Sequence, residues 1–212
     1  MPRLLEHTSL EGPAGRLEAL HEAPDDSVKI ERVAVFCHPH PLHGGTMHNK
    51  VVFRMAKAGR RAAAAVLRFN FRGVGQSQGH YDEGRGEQDD VRTAVAYAKD
   101  RYPGLPLVLG GFSFGSSMSA KVACSDPGVE RWIGAGFPVN RASFGFMRNC
   151  ATPTFFVHST NDEFGSQVRL EEVFAFTPEP KGLEWVEAPD HFFAGKLDEF
   201  EDAVYRSIVA PV

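Results

Sequence analysis

Residues 107–120 read LVLGGFSFGSSMSA, an apolar strand that runs into two glycines and then sets a serine between two phenylalanines, with another glycine behind it. The end of a buried strand is an awkward place for a hydroxyl unless its position has a use. Gly111-Phe112-Ser113-Phe114-Gly115 fits G-x-S-x-G, and its setting, where a strand meets a helix, matters more than the five letters. In such a turn the serine takes a strained backbone conformation and the glycines relieve crowding on either side. The N–H of the next residue, Phe114, then points to where an oxyanion would form. Read by pattern alone, Ser113 could equally be a helix N-cap. The glycine pair might suggest a phosphate loop, but neither G-x-G-x-x-G nor G-K-[ST] is present.

Outward from this stretch, strand and helix signals alternate. RVAVFCH, AAVLRFNF, WIGAGF, TPTFFVH and GLEWVEA read as strands. Two short strands around the turn EGPAGR, at 3–10 and 15–22, precede them. Helices are expected after Thr46, taken as N-cap, with Val52, Met55, Ala56 and Gly59 on one face, and over 87–101, with Val91, Ala94, Val95 and Ala98 at helical spacing. Asp89 and Asp90 fall in the first turn of the latter, where the helix dipole favours them. Two further helices are expected at 166–176 and 195–209, the last carrying Leu197, Phe200, Val204 and Ile208 on one face. Strands apolar throughout, alternating with amphipathic helices, imply an α/β fold: a mostly parallel sheet of about seven or eight strands, helices on both faces. No repeat or charge block divides the chain, so 1–212 is expected to form one domain.

Composition narrows the partners. The 212 residues are 42% hydrophobic and 24% charged, with a formal net charge of −4. Such a chain is expected to bury roughly 70% of its unfolded surface. Lys and Arg are scattered, which argues against nucleic acid or an anionic membrane as partner. Cys37, Cys124 and Cys150 show no CxxC spacing, so neither structural zinc nor a disulfide is expected. The N-terminus lacks a signal-like apolar run and no stretch approaches a membrane span. A cytoplasmic protein with reduced thiols is the expectation.

A serine needs a base, and the base an orienting carboxylate. TPTFFVH runs into STNDEFG, which puts Asp162 just past a strand end, and GLEWVEA runs into PDHFFAG, which puts His191 in the next loop. Alone, Asp162 could be a turn residue and His191 a surface histidine. Together with Ser113 they stand at three strand ends in the order Ser…Asp…His. Glu163 and Asp190, their neighbours, are expected to face solvent. The second oxyanion donor is sought in FCHPHPLHGG, where Pro39 and Pro41 have no N–H to give and the donor becomes that of His40. A metal site from His38, His40, His43 and His48 is the rival, but no cysteine or carboxylate completes its ligand set.

These residues carry a family resemblance. CHPHPLHGGTMHNKVV at 37–52, NFRGVGQSQG at 70–79, GGFSFGS at 110–116 and DHFFAGKLDEF at 190–200 resemble the cap-less bacterial α/β-hydrolase family with a CHPHP…GGTM…NKVV oxyanion segment. The resemblance implies a serine-hydrolase fold with Ser113, Asp162 and His191 as triad, but no particular substrate. The connection between WIGAGF and TPTFFVH is too short for a lid, so an open site is expected, acting on small or short-chain carboxylic esters. Phe112, Phe137, Phe164 and Phe192 are candidates for its apolar wall, among phenylalanines that also include Phe144 and Phe146. Thioester or peptide hydrolysis on the same triad, and a non-catalytic ligand-binding role, are the alternatives. No cofactor is expected; a homodimer is compatible with the pattern.

Overall fold

The computed structural model describes residues 4–25 and 27–211; Arg3, where the first expected strand begins, lies outside the described residues. Eight strands form one sheet: β1 Leu4–Gly12, β2 Gly15–Ala23, β3 Arg32–Cys37, β4 Ala64–Phe69, β5 Leu107–Phe112, β6 Arg131–Ala135, β7 Thr154–Ser159 and β8 Lys181–Val186. Their order is β1-β2-β4-β3-β5-β6-β7-β8. The β1–β2 and β2–β4 pairs are antiparallel and every other pair is parallel. This is the α/β-hydrolase fold without a lid.

Side chains alternate faces along a strand, and here both faces are buried. On β3, β4 and β5, residues Val33, Val35, Leu67, Phe69, Leu107 and Leu109 enter one core. Their neighbours Ala34, Phe36, Val66, Val108 and Phe112 enter the other. The helices α1 Lys50–Arg61 and α5 Leu197–Val209 cover the second face and pack on each other. Phe200, Val204 and Ile208 of α5 are fully buried as expected. Arg54, Lys57 and Arg61 of α1 all reach the buried carboxylate of Glu201, which clamps α5 to α1. The first face takes α2 Gly86–Arg101, α3 Phe114–Ala123 and α4 Gln167–Phe176.

Three local expectations give way. The N-cap of α1 is Asn49, whose side chain accepts from the Val51 N–H at 2.9 Å. Thr46 instead caps a turn, accepting from the His48 N–H at 3.3 Å. Asp90 does more than meet a dipole: it is fully buried and grips Arg72, with Nη2 to Oδ1 at 2.7 Å and the Arg72 N–H to Oδ2 at 3.0 Å. Cys124 and Cys150 are joined in a disulfide, Cα–Cα 4.6 Å, which fastens the end of α3 to the 3-10 turn Gly145–Asn149. The pairing is made in space, across chain that no spacing rule connects, and it removes the reduced-thiol argument for a cytoplasmic setting. Cys37 remains free and buried, its thiol pushed up by desolvation. Among the described residues no helix is long and apolar enough to cross a membrane.

Removing one partner of a buried ion pair leaves an uncompensated charge, costing about 3–5 kcal/mol. Asp90→Ala, which strands Arg72, is expected to lower the urea-unfolding free energy by about 3 kcal/mol or more. A loss below about 1 kcal/mol would mean that the pair does not hold the β4–α2 connection.

Candidate active site

Ser113 sits between β5 and α3 with φ 56° and ψ −118°, a left-handed conformation costly for any residue with a Cβ. Its N–H donates to the Ala135 carbonyl at 3.0 Å, and its carbonyl accepts from the Ser117 N–H at 3.2 Å. The side chain makes no capping bond to α3, which leaves Oγ free. Backbone crowding explains the glycines. A Cβ on Gly111 would lie 2.5 Å from the Gly115 carbonyl carbon, and one on Gly115 2.4 Å from Cys37 O.

Asp162, just past β7, is buried, and its Oδ1 accepts from the N–H groups of Phe164 (2.8 Å) and Gly165 (3.0 Å). Oδ2 accepts from His191 Nδ1 at 2.6 Å. That bond assigns the proton to Nδ1 and leaves Nε2 as a lone pair. Nε2 is buried and has no hydrogen-bond partner among the described residues. His191 is packed between Phe112 (ring centroids 4.7 Å apart) and Phe164 (4.8 Å), and rests on Gly136, where a Cβ would lie 2.9 Å from its Cε1.

The turn after β3 is braced by histidines. His38 is fully buried; its Nε2 accepts from the Phe71 N–H at 3.0 Å, so Nδ1 carries the proton and donates to Pro39 O at 2.6 Å. Desolvation pulls its pKa down to about 4. His40 Nδ1 accepts from the Leu42 N–H at 3.2 Å, so Nε2 donates to Tyr81 Oη at 3.2 Å. Its ring lies 4.9 Å from that of Phe114, so the two residues expected to supply oxyanion donors are neighbours. Both nitrogens of His38 are thus spent on backbone, and among the described residues no group of three His, Cys, Asp or Glu could hold a metal ion.

A cleft of about 770 Å³ opens above these groups, lined by Ser113, His191, His40 and Phe114 together with Phe164 and Phe192. Phe112 and Phe137 are not on its wall. Phe112 shares strand parity with Val108 and enters the α1/α5 core, while Phe137 is buried against Trp132, Phe144 and Phe156. Phe144 lines the cleft in their place. Glu163 and Asp190 do not simply face solvent either. Glu163 accepts from the His191 N–H at 3.0 Å, and Asp190 Oδ1 accepts from the N–H groups of Phe192 and Ala194, each at 3.0 Å. His158, passed over within an apolar strand, stands fully buried on β7. Its Nε2 donates to Gly165 O at 2.6 Å and lies 3.4 Å from Asp162 Oδ2. Burial lowers its pKa, keeping a second neutral imidazole against the carboxylate. A lone histidine in TFFVHS, four residues before the acid, was the available signal.

Comparison with known proteins agrees with this fold. Residues 35–142 match the family described as serine aminopeptidase, S33. An uncharacterized protein of Rickettsia prowazekii is 32% identical over 204 residues, covering 91% of this chain and 84% of its own. A serine hydrolase without lid from Xanthomonas campestris superposes with a TM-score of 0.89 at 31% identity, over 98% of this chain and 95% of the other. An α/β serine hydrolase homologue from Coxiella burnetii gives 0.90 at 35%, over 96% and 97%. The chain belongs to the serine aminopeptidase S33 family, within the lid-less α/β hydrolases.

His38 gives a pH test. Its folded pKa, about 4, lies below the unfolded value of 6.5. Below pH 6.5 the unfolded chain takes up a proton that the folded chain refuses, so stability falls as pH drops from 6.5 toward 4, by roughly 3 kcal/mol from this residue. Urea unfolding across that range is expected to show a shallower fall for His38→Asn than for the wild type. Parallel curves would mean that His38 titrates normally when folded.

Proposed function

We propose that the protein is a serine hydrolase that cleaves small or short-chain carboxylic esters through an acyl-enzyme. The reading is carried by the 2.6 Å bond from His191 Nδ1 to Asp162, which leaves a buried, unpartnered Nε2 on the cleft that Ser113 also lines.

Ser113 Oγ attacks the ester carbonyl carbon as His191 Nε2 removes its proton. Asp162 holds the imidazole in the Nδ1–H tautomer and stabilises the imidazolium. The carbonyl oxygen becomes an oxyanion facing the N–H groups of Phe114 and His40, each worth about 3 kcal/mol in comparable sites. Collapse breaks the bond to the alcohol oxygen, which takes the proton from Nε2. Water, deprotonated by the same nitrogen, then attacks the acyl carbon and releases the acid and free Ser113.

Ester is favoured over peptide by what lines the cleft. An aminopeptidase must anchor a free α-ammonium, and the lining carboxylate, Glu83, lies 3.4 Å from Arg85. Phe114, Phe144, Phe164, Phe192 and Met118 offer an apolar surface to an acyl or alcohol chain instead. The segment from β6 to β7 supplies one wall and no lid, which suits substrates that enter from solution.

Release of nitrophenolate from 4-nitrophenyl acetate and butyrate tests the reading. Ser113→Ala is expected to lose activity by about 10⁴-fold or more, and Asp162→Asn to lower kcat by about the same factor through the wrong tautomer. Turnover that survives Ser113→Ala would place the chemistry elsewhere.

A further inference from the structure

The cleft holds two cations that the proposed mechanism does not use. Lys121 and Arg141 both line it, and both are exposed. Several arginines elsewhere meet carboxylates: Arg54 with Glu201, Arg72 with Asp90, Arg206 with Glu184. Neither Lys121 nor Arg141 has a carboxylate partner among the described residues. Glu83, the acidic residue on the lining, has Arg85 beside it. A chain with a net charge of −4 thus presents free positive charge at the mouth of its catalytic cleft.

Both cations are aimed by the fold. Ser113, Ser117 and Lys121 succeed one another along one face of α3, and all three line the cleft. Lys121 stands about 12 Å along the helix from Ser113. Helical side chains lean toward the N-terminus, so its ammonium reaches back toward the serine. Arg141 lies over Phe164, guanidinium carbon 4.9 Å from the ring centroid, and that ring packs against His191. Stacking restrains the guanidinium while leaving its N–H edge to accept an oxyacid. The apolar lining lies in the same cleft as these cations.

We infer that the cleft selects esters carrying a second, anionic group, a carboxylate set off from the scissile carbonyl by an apolar chain of about 6–12 Å and received by Arg141 and Lys121. This deepens the esterase reading and rests on it.

Matched probes test it. On the acyl side, 4-nitrophenyl hydrogen suberate is compared with the same ester whose distal carboxyl is capped as the N-methylamide. On the alcohol side, the acetate ester of 6-hydroxyhexanoate is compared with its N-methylamide. The wild type is expected to favour the carboxylate member of at least one pair by about 10-fold or more in kcat/KM, the preference falling as NaCl rises from 0.05 to 0.5 M. Arg141→Ala and Lys121→Ala should each lower that ratio by about 3- to 10-fold, and Arg141→Glu should invert it. Ratios near one in both pairs, or ratios that none of the variants moves, overturn the anion subsite while turnover of the capped esters leaves the esterase reading standing. If no ester is turned over, the esterase reading fails. The subsite is then read by calorimetry on Ser113→Ala with monomethyl suberate against dimethyl suberate. Tighter binding of the monoester that is lost in the double variant Ser113→Ala/Arg141→Ala supports it; equal or absent binding overturns it.

Discussion

A Cβ atom on Gly115 would stand 2.4 Å from the carbonyl oxygen of Cys37 and 2.5 Å from that of His38. The turn that carries the serine and the turn that follows β3 therefore touch through bare backbone, at a separation no other residue tolerates. Much of the site follows from that contact. It sets the start of α3 against the His38–His40 turn, which makes Phe114 and His40, from two separate segments, neighbours. It also fixes Ser113 in its left-handed conformation, because the strand on one side and the helix on the other are both already committed.

Burial divides the histidines by what their nitrogens meet. His38 and His158 hold neutral rings and serve as struts: one ties the turn after β3 to the end of β4, the other ties the loop after Asp162 to β7. The Nδ1 of His158 is left without a hydrogen-bond partner inside the core. His191 differs in its place: its Nδ1 is bonded to the Asp162 carboxylate, and its unpartnered Nε2 belongs to a ring that lines the cleft. A buried, unpaired imidazole nitrogen is costly unless a substrate step uses it. Its position on the cleft beside Ser113 gives that use.

How much of this was legible follows from where each residue stands. The sheet could be read because both of its faces are buried, so the strands are apolar throughout and stand out against polar loops. Ser113, Asp162 and His191 could be read because each occupies the carboxyl end of a strand, a position sequence fixes well. Phe112 and Phe137 were misjudged for opposite reasons. The parity shared with Val108 sends Phe112 to the far face, whereas Phe137 follows Gly136, whose φ of +51° turns the chain back into the core. The hydrogen bond from His191 to Glu163, the grip of Asp90 on Arg72 and the Cys124–Cys150 bridge join segments distant in sequence. Local pattern carries no signal for such pairings. Arg141 and Lys121 escaped notice likewise: a surface cation is ordinary until the fold shows that its neighbours hold no acid.

The central claim is that a strained turn, a tautomer fixed by Asp162 and two backbone donors together make Ser113 a nucleophile. Treatment with a fluorophosphonate, followed by intact-mass and peptide mass spectrometry, measures that property without any choice of substrate. A single adduct on the peptide containing Ser113, absent in His191→Ala, is the predicted result. An unmodified wild-type chain, or an adduct carried on another residue, would contradict it.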